Sequence, residues 1–371
     1  MMQPSIEEET TIQQAMQLTT AIALPMALKA AIDFGLLEIM EKAGPSVRLS
    51  PDEIVARFHP CVNNPPRVSQ MIDRILRLLS SYSVVSCSVA DNAEFEHNDG
   101  QVVQRLYTLG PLSRYFLQSK DGQGSLAPMF NMIHDSFMTN VWYYMKEAIL
   151  EGEVPLIKAY GKDPMESIHN DKRFAPIFFD AMREFNPLVI SKILKEYKGF
   201  EGLKSIVDVG GGNGSILKAI ISRYPSIEGT NFDLPPIIEK QPIYPGIQHV
   251  AGDMFTSIPA GDAIFMKWVL KNLNDEQCLN VLKNCYMALP NGGKLMIVEL
   301  VIPDIPDSSI NSQSVFQFDV YLTNMNAGGK ERTVVEFQTL AKTAGFSGIQ
   351  AMVRAYNMTL LEFHKIVTTD Y

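Results

Sequence analysis

Apolar residues recur at helical spacing over residues 12 to 42, where Ala15, Met16, Ile22, Leu24, Met26, Ala27, Ala30, Ile32 and Leu36 fall on repeating positions. The stripe is broader and more apolar than a solvated helix needs, which predicts packing against a partner chain. In "LSPDEIVARF", Ser50 reads as a helix cap, with Pro51 at the first position and Asp52 and Glu53 in the first turn. "PPRVSQMIDRILRLLSSYSVV" reads as an amphipathic helix running into a short strand, and "VVQRLYTLGPLSRYF" as a strand followed by a helix. Helix, helix, strand, strand is a winged-helix-like order. Residues 125 to 198 stay helical and are rich in Met and aromatics, among them Met129, Phe130, Met132, Phe137, Met138, Trp142, Tyr143 and Tyr144. Beyond about residue 203 the texture changes to apolar runs alternating with helices. "SIVDVGG", "GTNFDLP", "IQHVAGDMF", "DAIFMKWVL" and "GKLMIVELVIP" read as strands, with "SILKAIISRYP" and "DEQCLNVLKNCYMAL" as helices. That alternation is the signature of a doubly wound parallel sheet. Two parts are expected: residues 1–118, helical and winged-helix-like, and residues 119–371, carrying the pocket helices and an α/β Rossmann-like sheet.

Composition narrows the function classes. Hydrophobic content is 46% and the formal net charge is -9, the solvated acidic surface of a globular protein and a poor match to nucleic acid or an anionic membrane. With no positive patch, the winged-helix-like part reads as a protein–protein module rather than a DNA reader. "MMQPSIEEETT" lacks the basic-then-apolar order of a signal peptide, and "AIALPMALKAAIDFGLLEIM" is broken by Pro25, Lys29, Asp33 and Gly35, so no membrane span is expected. The four cysteines, Cys61, Cys87, Cys278 and Cys285, form no CxxC or Cys/His cluster. A reduced cytoplasmic protein without a metal is the expectation.

Candidate chemistry starts at "VDVGGGNGS", which ends a buried strand and opens a helix, with Gly210, Gly212 and Gly214 spaced as GxGxG. Glycines allow a sharp turn and close backbone approach, and the helix start offers free N–H groups. Ser215 stands where a dinucleotide fingerprint needs glycine or alanine, so the run alone is equally a tight strand-to-helix turn. Asp233 in "NFDLP" ends the next strand, placed to accept both ribose hydroxyls. Asp253 in "AGDMF" ends the one after, placed to face an adenine amino group between Met254 and Phe255. Three successive strand ends bearing these groups point to S-adenosylmethionine rather than a nicotinamide cofactor.

Over essentially its whole length the chain resembles plant small-molecule O-methyltransferases of the caffeic acid type. The segments that carry the resemblance are "GFEGLKSIVDVGGGNG", "NFDLP", "YPGIQHVAGDMF", "DAIFMKW", "LKNCYMALP" and "GGKERT". It implies a homodimer with an N-terminal winged-helix-like dimerisation domain and a class I methyltransferase domain. It further implies S-adenosylmethionine as cofactor, S-adenosylhomocysteine as product and a small aromatic acceptor. Cofactor contacts are implied at Gly210, Asp233, Asp253, Met254 and Lys267, with the motif neighbours Gly212, Leu234 and Phe255 beside them. Phe174, Phe178, Met182 and Asn326 are implied to line the acceptor pocket, joined by Met132, Ile133, His134, Phe185 and Trp268. Read from spacing alone, Phe174, Phe178 and Met182 at i, i+4, i+8 are core packing.

One position departs from the family pattern. The family carries a His-Asp pair after "MKW", and that histidine takes the proton from a phenol as methyl transfers. Here Lys271 stands for the histidine and Asn272 for the aspartate, while the flanking glutamates remain as Glu299 and Glu331. Ile133 replaces an expected asparagine and Phe185 a histidine. An ordinary lysine has a pKa of about 10.4 against about 6.5 for histidine. Burial could lower it by several units, but two nearby carboxylates would push it back up, so if Glu299 and Glu331 bracket Lys271 an ion-paired ammonium is expected rather than a free amine. Four readings stay open: an amine acceptor that needs no matched base; an acidic enol, phenol or carboxylate whose anion the ammonium holds; a repurposed non-methylating catalyst; and a non-catalytic dimer partner.

Overall fold

The computed structural model describes residues 6–58, 62–90, 104–118, 122–239, 241–326 and 328–365. Two compact units form: residues 1–121 with 125–136, and residues 122–124 with 137–371. The division expected at 118/119 adjoins residues 119–121, which lie outside the described residues. The helix Ala127–Ile133 packs with the first unit, on Ala23–Asp33.

In the first unit the apolar stripe of residues 12–42 becomes three helices, Ile6–Thr19, Ala23–Asp33 and Leu36–Ala43, with Gly35 left-handed at the second break (φ 65°). Ser50 caps Pro51–Val55: its Oγ accepts the Glu53 N–H and the Glu53 carboxylate accepts the Ser50 N–H. Helix Pro65–Ser81 leads into an antiparallel pair, β1 (Val85–Val89) and β2 (Arg105–Leu109). Leu36, Leu37, Ile54, Leu76, Leu79 and Tyr107 form its core, while Met16, Leu18 and Ile22 stay exposed on this single chain. Among the described residues no single helix is long and apolar enough to cross a membrane; only the bent pair Glu8–Thr19 and Ala23–Asp33 reaches that length and composition together. Cys87, Cys278 and Cys285 are free, and Cys61 lies outside the described residues.

The second unit is built on one sheet: β3 (Ser205–Val209), β4 (Glu228–Asp233), β5 (Ile247–Ala251), β6 (Ala263–Lys267), β7 (Lys294–Leu300), β8 (Phe346–Ala355) and β9 (Met358–Lys365). Its order is β5-β4-β3-β6-β7-β9-β8, parallel from β5 through β7 and antiparallel at β9 and β8. The antiparallel edge was not expected from sequence. Ala355 pairs with Met358 across a two-residue turn with Tyr356 left-handed (φ 61°), so the hairpin lacks the Asn-Gly or Asp-Gly that normally marks one. The parallel strands bury Val207, Val209, Ile264, Met266, Leu295 and Ile297. Their carboxyl ends, where ligands bind in open α/β sheets, collect Gly210, Asp233, Lys267 and Glu299 at one edge.

Past Lys267 the chain leaves the sheet as an irregular, largely buried segment, and buried carbonyls there need partners. Arg332, fully buried, supplies them: Nη1 donates to Leu270 O (2.9 Å), while Nη2 donates to Leu273 O (2.7 Å) and Asp275 Oδ1 (2.8 Å). Gly329 lies flat against the same segment; a methyl group there would meet Lys271 O at 2.5 Å. Leu270 O also accepts the Leu273 N–H (3.1 Å), so Arg332→Met leaves Leu273 O without an N–H donor and takes one donor from Leu270 O; it is expected to lower unfolding free energy by about 2–5 kcal/mol. Asp275→Asn, at an exposed carboxylate, is expected to cost under about 1 kcal/mol; urea unfolding of both variants checks the contrast.

Candidate active site

Between β3 and the helix Ser215–Arg223 the chain turns through Gly210, Gly212 and Gly214, all left-handed (φ 71°, 56° and 73°), a conformation costly for other residues. Gly210 N–H donates to Phe232 O (2.8 Å) and Gly212 N–H to Asp233 Oδ2 (2.9 Å), tying the turn to the end of β4. Asp233 Oδ1 accepts the Leu234 N–H at 2.7 Å. Asn231 Nδ2 donates to Gly212 O (3.0 Å) and lies 3.0 Å from His249 Nδ1, so β5 braces the turn as well. Gly252 N–H donates to Asp233 O (3.0 Å), which sets Asp253, Met254 and Phe255 beside Asp233; Asp253 Oδ1 accepts the Phe255 N–H (2.9 Å) and Asn284 donates to Met254 O (2.8 Å).

The second cluster follows β6. Trp268 is left-handed (φ 59°) but still donates its N–H to Val298 O (3.0 Å), so pairing to β7 continues while the indole swings out. Its ring stacks on Phe185 at 4.9 Å and 12°, and it carries Lys267 Nζ at 4.4 Å and Lys271 Nζ at 4.7 Å from the ring centroid. The indole N–H is buried with no partner among the described residues. Lys267 Nζ donates to Asn186 Oδ1 at 3.0 Å. Asn272 Nδ2 donates to Trp268 O (3.1 Å), and its Oδ1 accepts from Asn326 Nδ2 (2.9 Å).

Glu299 is fully buried; Oε1 accepts the Leu270 N–H (2.9 Å) and Oε2 has no partner among the described residues. Glu331 is buried too, its N–H donating to Asp319 Oδ1 (3.0 Å) and its own Oε2 unpartnered. Burial pushes Glu299 up to about 7, with Lys271 pulling back. Burial and then the charge of Glu299 push Glu331 up to about 8. Lys267 and Lys271 are half-buried as whole residues, yet their ammonium ends are desolvated. Burial takes Lys267 down to about 7 against the pull of Glu299. Burial likewise lowers Lys271, with Glu331 and then Glu299 opposing. The ion pair expected at Lys271 is thus not formed among the described residues. The two carboxylates do act on it, but it rests on the Trp268 ring, no carboxylate among the described residues is in ion-pair contact with it, and desolvation outweighs their pull.

The other candidates are spread more widely. Helix Phe174–Glu196 carries Phe174, Phe178, Met182 and Phe185. Phe174 is fully buried, stacked on Phe137 (4.5 Å), which stacks in turn on Tyr160 (4.4 Å), as core packing predicts. Phe178 packs edge-on to Phe179, and Met182 is half-buried. Met132, Ile133 and His134 belong to the first unit, where His134 stacks on Phe130 (4.1 Å) with Nδ1 2.9 Å from Phe130 O, and burial lowers its pKa.

Sequence reasoning missed Asp208, Asn186, Asn231 and Arg332. Asp208, a lone carboxylate inside the apolar run "SIVDV", was visible as an anomaly. It is buried with Oδ2 unpartnered among the described residues, and burial, with Asp233 adding to it, pushes it up to about 8. The other three act through tertiary contacts that no spacing in the chain encodes.

Two family models match the chain, the O-methyltransferase domain over residues 142–347 and the O-methyltransferase dimerisation domain over residues 16–119. A caffeic acid 3-O-methyltransferase of Prunus dulcis is 48% identical over 360 residues, covering 97% of this chain and 96% of that protein. The chain belongs to the plant O-methyltransferase family. An esculetin O-methyltransferase of Kitagawia praeruptora is 45% identical over 97% of this chain and 96% of its own length. Human N-acetylserotonin methyltransferase in complex with SAM shares the fold at a TM-score of 0.77 and 18% identity, covering 98% of this chain and all of that one. A methyltransferase of calicheamicin biosynthesis, in its SAH-bound form, does so at 0.76 and 18%, over 98% and 99% of the two chains. The class I methyltransferase fold with an N-terminal dimerisation domain agrees with the sequence expectation. Within this family fold, Asp208 gives a direct test of the buried charge. Its pKa rises from 3.8 to about 8 on folding, so the stability it contributes at low pH is lost as pH climbs through that window. Asp208→Asn does not titrate, so its melting temperature is expected to gain on wild type by several degrees from about pH 4 to 8 and no further above, as scanning fluorimetry across pH will show.

Proposed function

We propose that the protein transfers a methyl group from S-adenosylmethionine to an acidic oxygen of a flat aromatic acceptor, working as a cytoplasmic homodimer, with Lys271 in place of an imidazole base. The observation that carries this reading is Lys271 itself, seated on the Trp268 ring and desolvated near Glu299 and Glu331, whose carboxyls burial pushes up to about 7 and about 8. The cofactor is supported by the residues present: no heavy atom lies within 4 Å of where a Cβ on Gly212 would be, so the turn is open to a ligand. Asp233 lies at the mouth of that turn, one strand from Asp253, Met254 and Phe255. Gly210, Gly212, Asp233, Leu234, Asp253, Met254, Phe255 and Lys267 would hold the nucleoside and amino-acid parts. Bound there, S-adenosylmethionine supplies an electrophilic methyl group on a sulfonium. The names of the relatives, caffeic acid 3-O-methyltransferase and esculetin O-methyltransferase, favour a phenolic acceptor.

The chain's residues divide the work simply. Trp268 and Phe185 offer flat apolar surface for an aromatic ring. Burial lowers the Lys271 pKa from its ordinary value and so makes the amine form easier to reach; in that form Lys271 takes the acceptor's proton and passes it toward Glu331 and Glu299. General-base help is worth about 10²–10⁴-fold and is greatest when the pKa values of base and acceptor match. A lowered lysine is a weaker base, so an O–H more acidic than an ordinary phenol suits this site better. An amine acceptor needs less: its lone pair attacks first and the proton leaves afterwards to the same cluster. One observation favours a second reading, a non-methylating catalyst that keeps the cofactor for structure. The unpartnered Trp268 N–H stands beside Lys271, two donors able to polarise a carbonyl for elimination, isomerisation or a pericyclic step.

The test is incubation with methyl-labelled S-adenosylmethionine and a series of phenols graded in acidity. Label is expected in product, faster for phenols more acidic than an ordinary one, and Lys271→Met should cut kcat by about 10²-fold with little change in cofactor affinity. Lys271→His with Asn272→Asp should raise activity on catechol-type phenols. Unlabelled product would support the second reading. Calorimetry showing no S-adenosylhomocysteine binding, with Asp233→Ala indistinguishable from wild type, would remove both.

A further inference from the structure

The last turns of helix Ile310–Thr323 run beside the Lys271 cluster. Phe318 lies 6.2 Å from the Trp268 ring, Asp319 accepts the Glu331 N–H at 3.0 Å, and Asn326, just past the helix, donates to Asn272 at 2.9 Å. Two polar side chains on this stretch lack any hydrogen-bond partner among the described residues. One is the buried hydroxyl of Tyr321, whose ring lies 6.4 Å from Trp142. The other is Asn324, fully buried with both its amide nitrogen and its amide oxygen unpaired. The two are three residues apart, which sets them on one helical face. The Asn324 backbone is fixed: its carbonyl accepts the Leu156 N–H at 3.1 Å.

Buried polar groups nearly always find partners, and leaving one unpaired is disfavoured. Three unpaired atoms within one turn beside a proposed active site call for a ligand to complete them. We propose that Tyr321 and Asn324 form a neutral hydrogen-bonding subsite of the acceptor pocket, which selects an aromatic ring bearing a group that both accepts and donates, such as a lactam. The hydroxyl and the carboxamide N–H donate to the ligand's carbonyl, and the carboxamide oxygen accepts its N–H. Burial holds the Tyr321 hydroxyl above its usual pKa, which keeps it a donor. Neither side chain carries a charge, so an anionic substituent gains nothing here and loses its hydration. The subsite rests on reading the Lys271 cluster as the acceptor site, and it names the class of acceptor which that site admits.

Matched probes test it. The intact protein is titrated with 2-quinolone, a neutral lactam, and with quinoline, the same ring system without it, following fluorescence of Trp142 and Trp268, the chain's two tryptophans. Wild type is expected to bind 2-quinolone about tenfold or more tightly. Tyr321→Phe and Asn324→Ala should each cut that preference several-fold, leave the quinoline Kd and the calorimetric Kd for S-adenosylhomocysteine unchanged, and keep or raise the melting temperature. A wild type without the preference overturns the subsite, as do variants that retain it. Lowered melting temperatures with the preference intact also overturn it, and assign the two groups to internal water instead. Failure of wild type to bind S-adenosylhomocysteine counts against the methyltransferase reading; the quinolone preference, measured also in its absence, still decides the subsite.

Discussion

Past Lys267 the chain leaves the sheet through a short 3-10 turn, Leu270–Asn272, and the carbonyls of the buried Leu270 and Leu273 have no strand to pair with. The Arg332 guanidinium answers both, at 2.9 and 2.7 Å, from the far side of the segment. Arg332 directly follows Glu331, so one stretch of backbone fixes the segment that bears Lys271 and also delivers a carboxylate to it. Val301 bridges to Arg332 in parallel register, which ties this stretch to the end of β7, where Glu299 is set. The positions of Lys271, Glu299 and Glu331 are therefore one problem with one solution. If the clamp is lost, the loop, the lysine and the carboxylate lose their register together.

Burial, rather than pairing, then sets the protonation of the site. Asp208, Lys267, Glu299, Lys271 and Glu331 all have pKa values moved toward their neutral forms. Desolvation penalises every charged form, and the mutual attractions are too indirect to reverse it, since Lys271 rests on an indole face rather than a carboxylate. Such a cluster exchanges protons near neutral pH although it contains no histidine. Burial moves Lys271 in the direction a base position requires, away from the ordinary lysine value.

Much of this was legible in the sequence because it was written in short-range signals. Strand alternation gave the parallel sheet, Ser50 with Glu53 announced its capping box, and the glycine turn with Asp233 and Asp253 marked successive strand ends. The β8–β9 hairpin was missed because Tyr356 holds its left-handed turn in place of a glycine or asparagine. The ion pair expected at Lys271 does not form among the described residues for a different reason. Sequence supplies the neighbours of a group, but the balance between desolvation and attraction depends on distances and enclosure. Asn186 beside Lys267 and Arg332 behind Leu270 belong to the same class, because their partners lie 81 and 62 residues away along the chain. Tyr321 and Asn324 read as ordinary residues near a helix end until the structure shows their side chains without a hydrogen-bond partner among the described residues.

The claim that burial dominates at Lys271 is tested most directly by NMR titration of the Lys271 side chain, in protein carrying 13Cε-labelled lysine, with the signal assigned by its loss in Lys271→Arg. The account predicts a midpoint below the ordinary lysine value of about 10.4, moving lower still in Glu331→Gln because that carboxylate pulls it upward. A midpoint at or above the ordinary value, unmoved by Glu331→Gln, would contradict it.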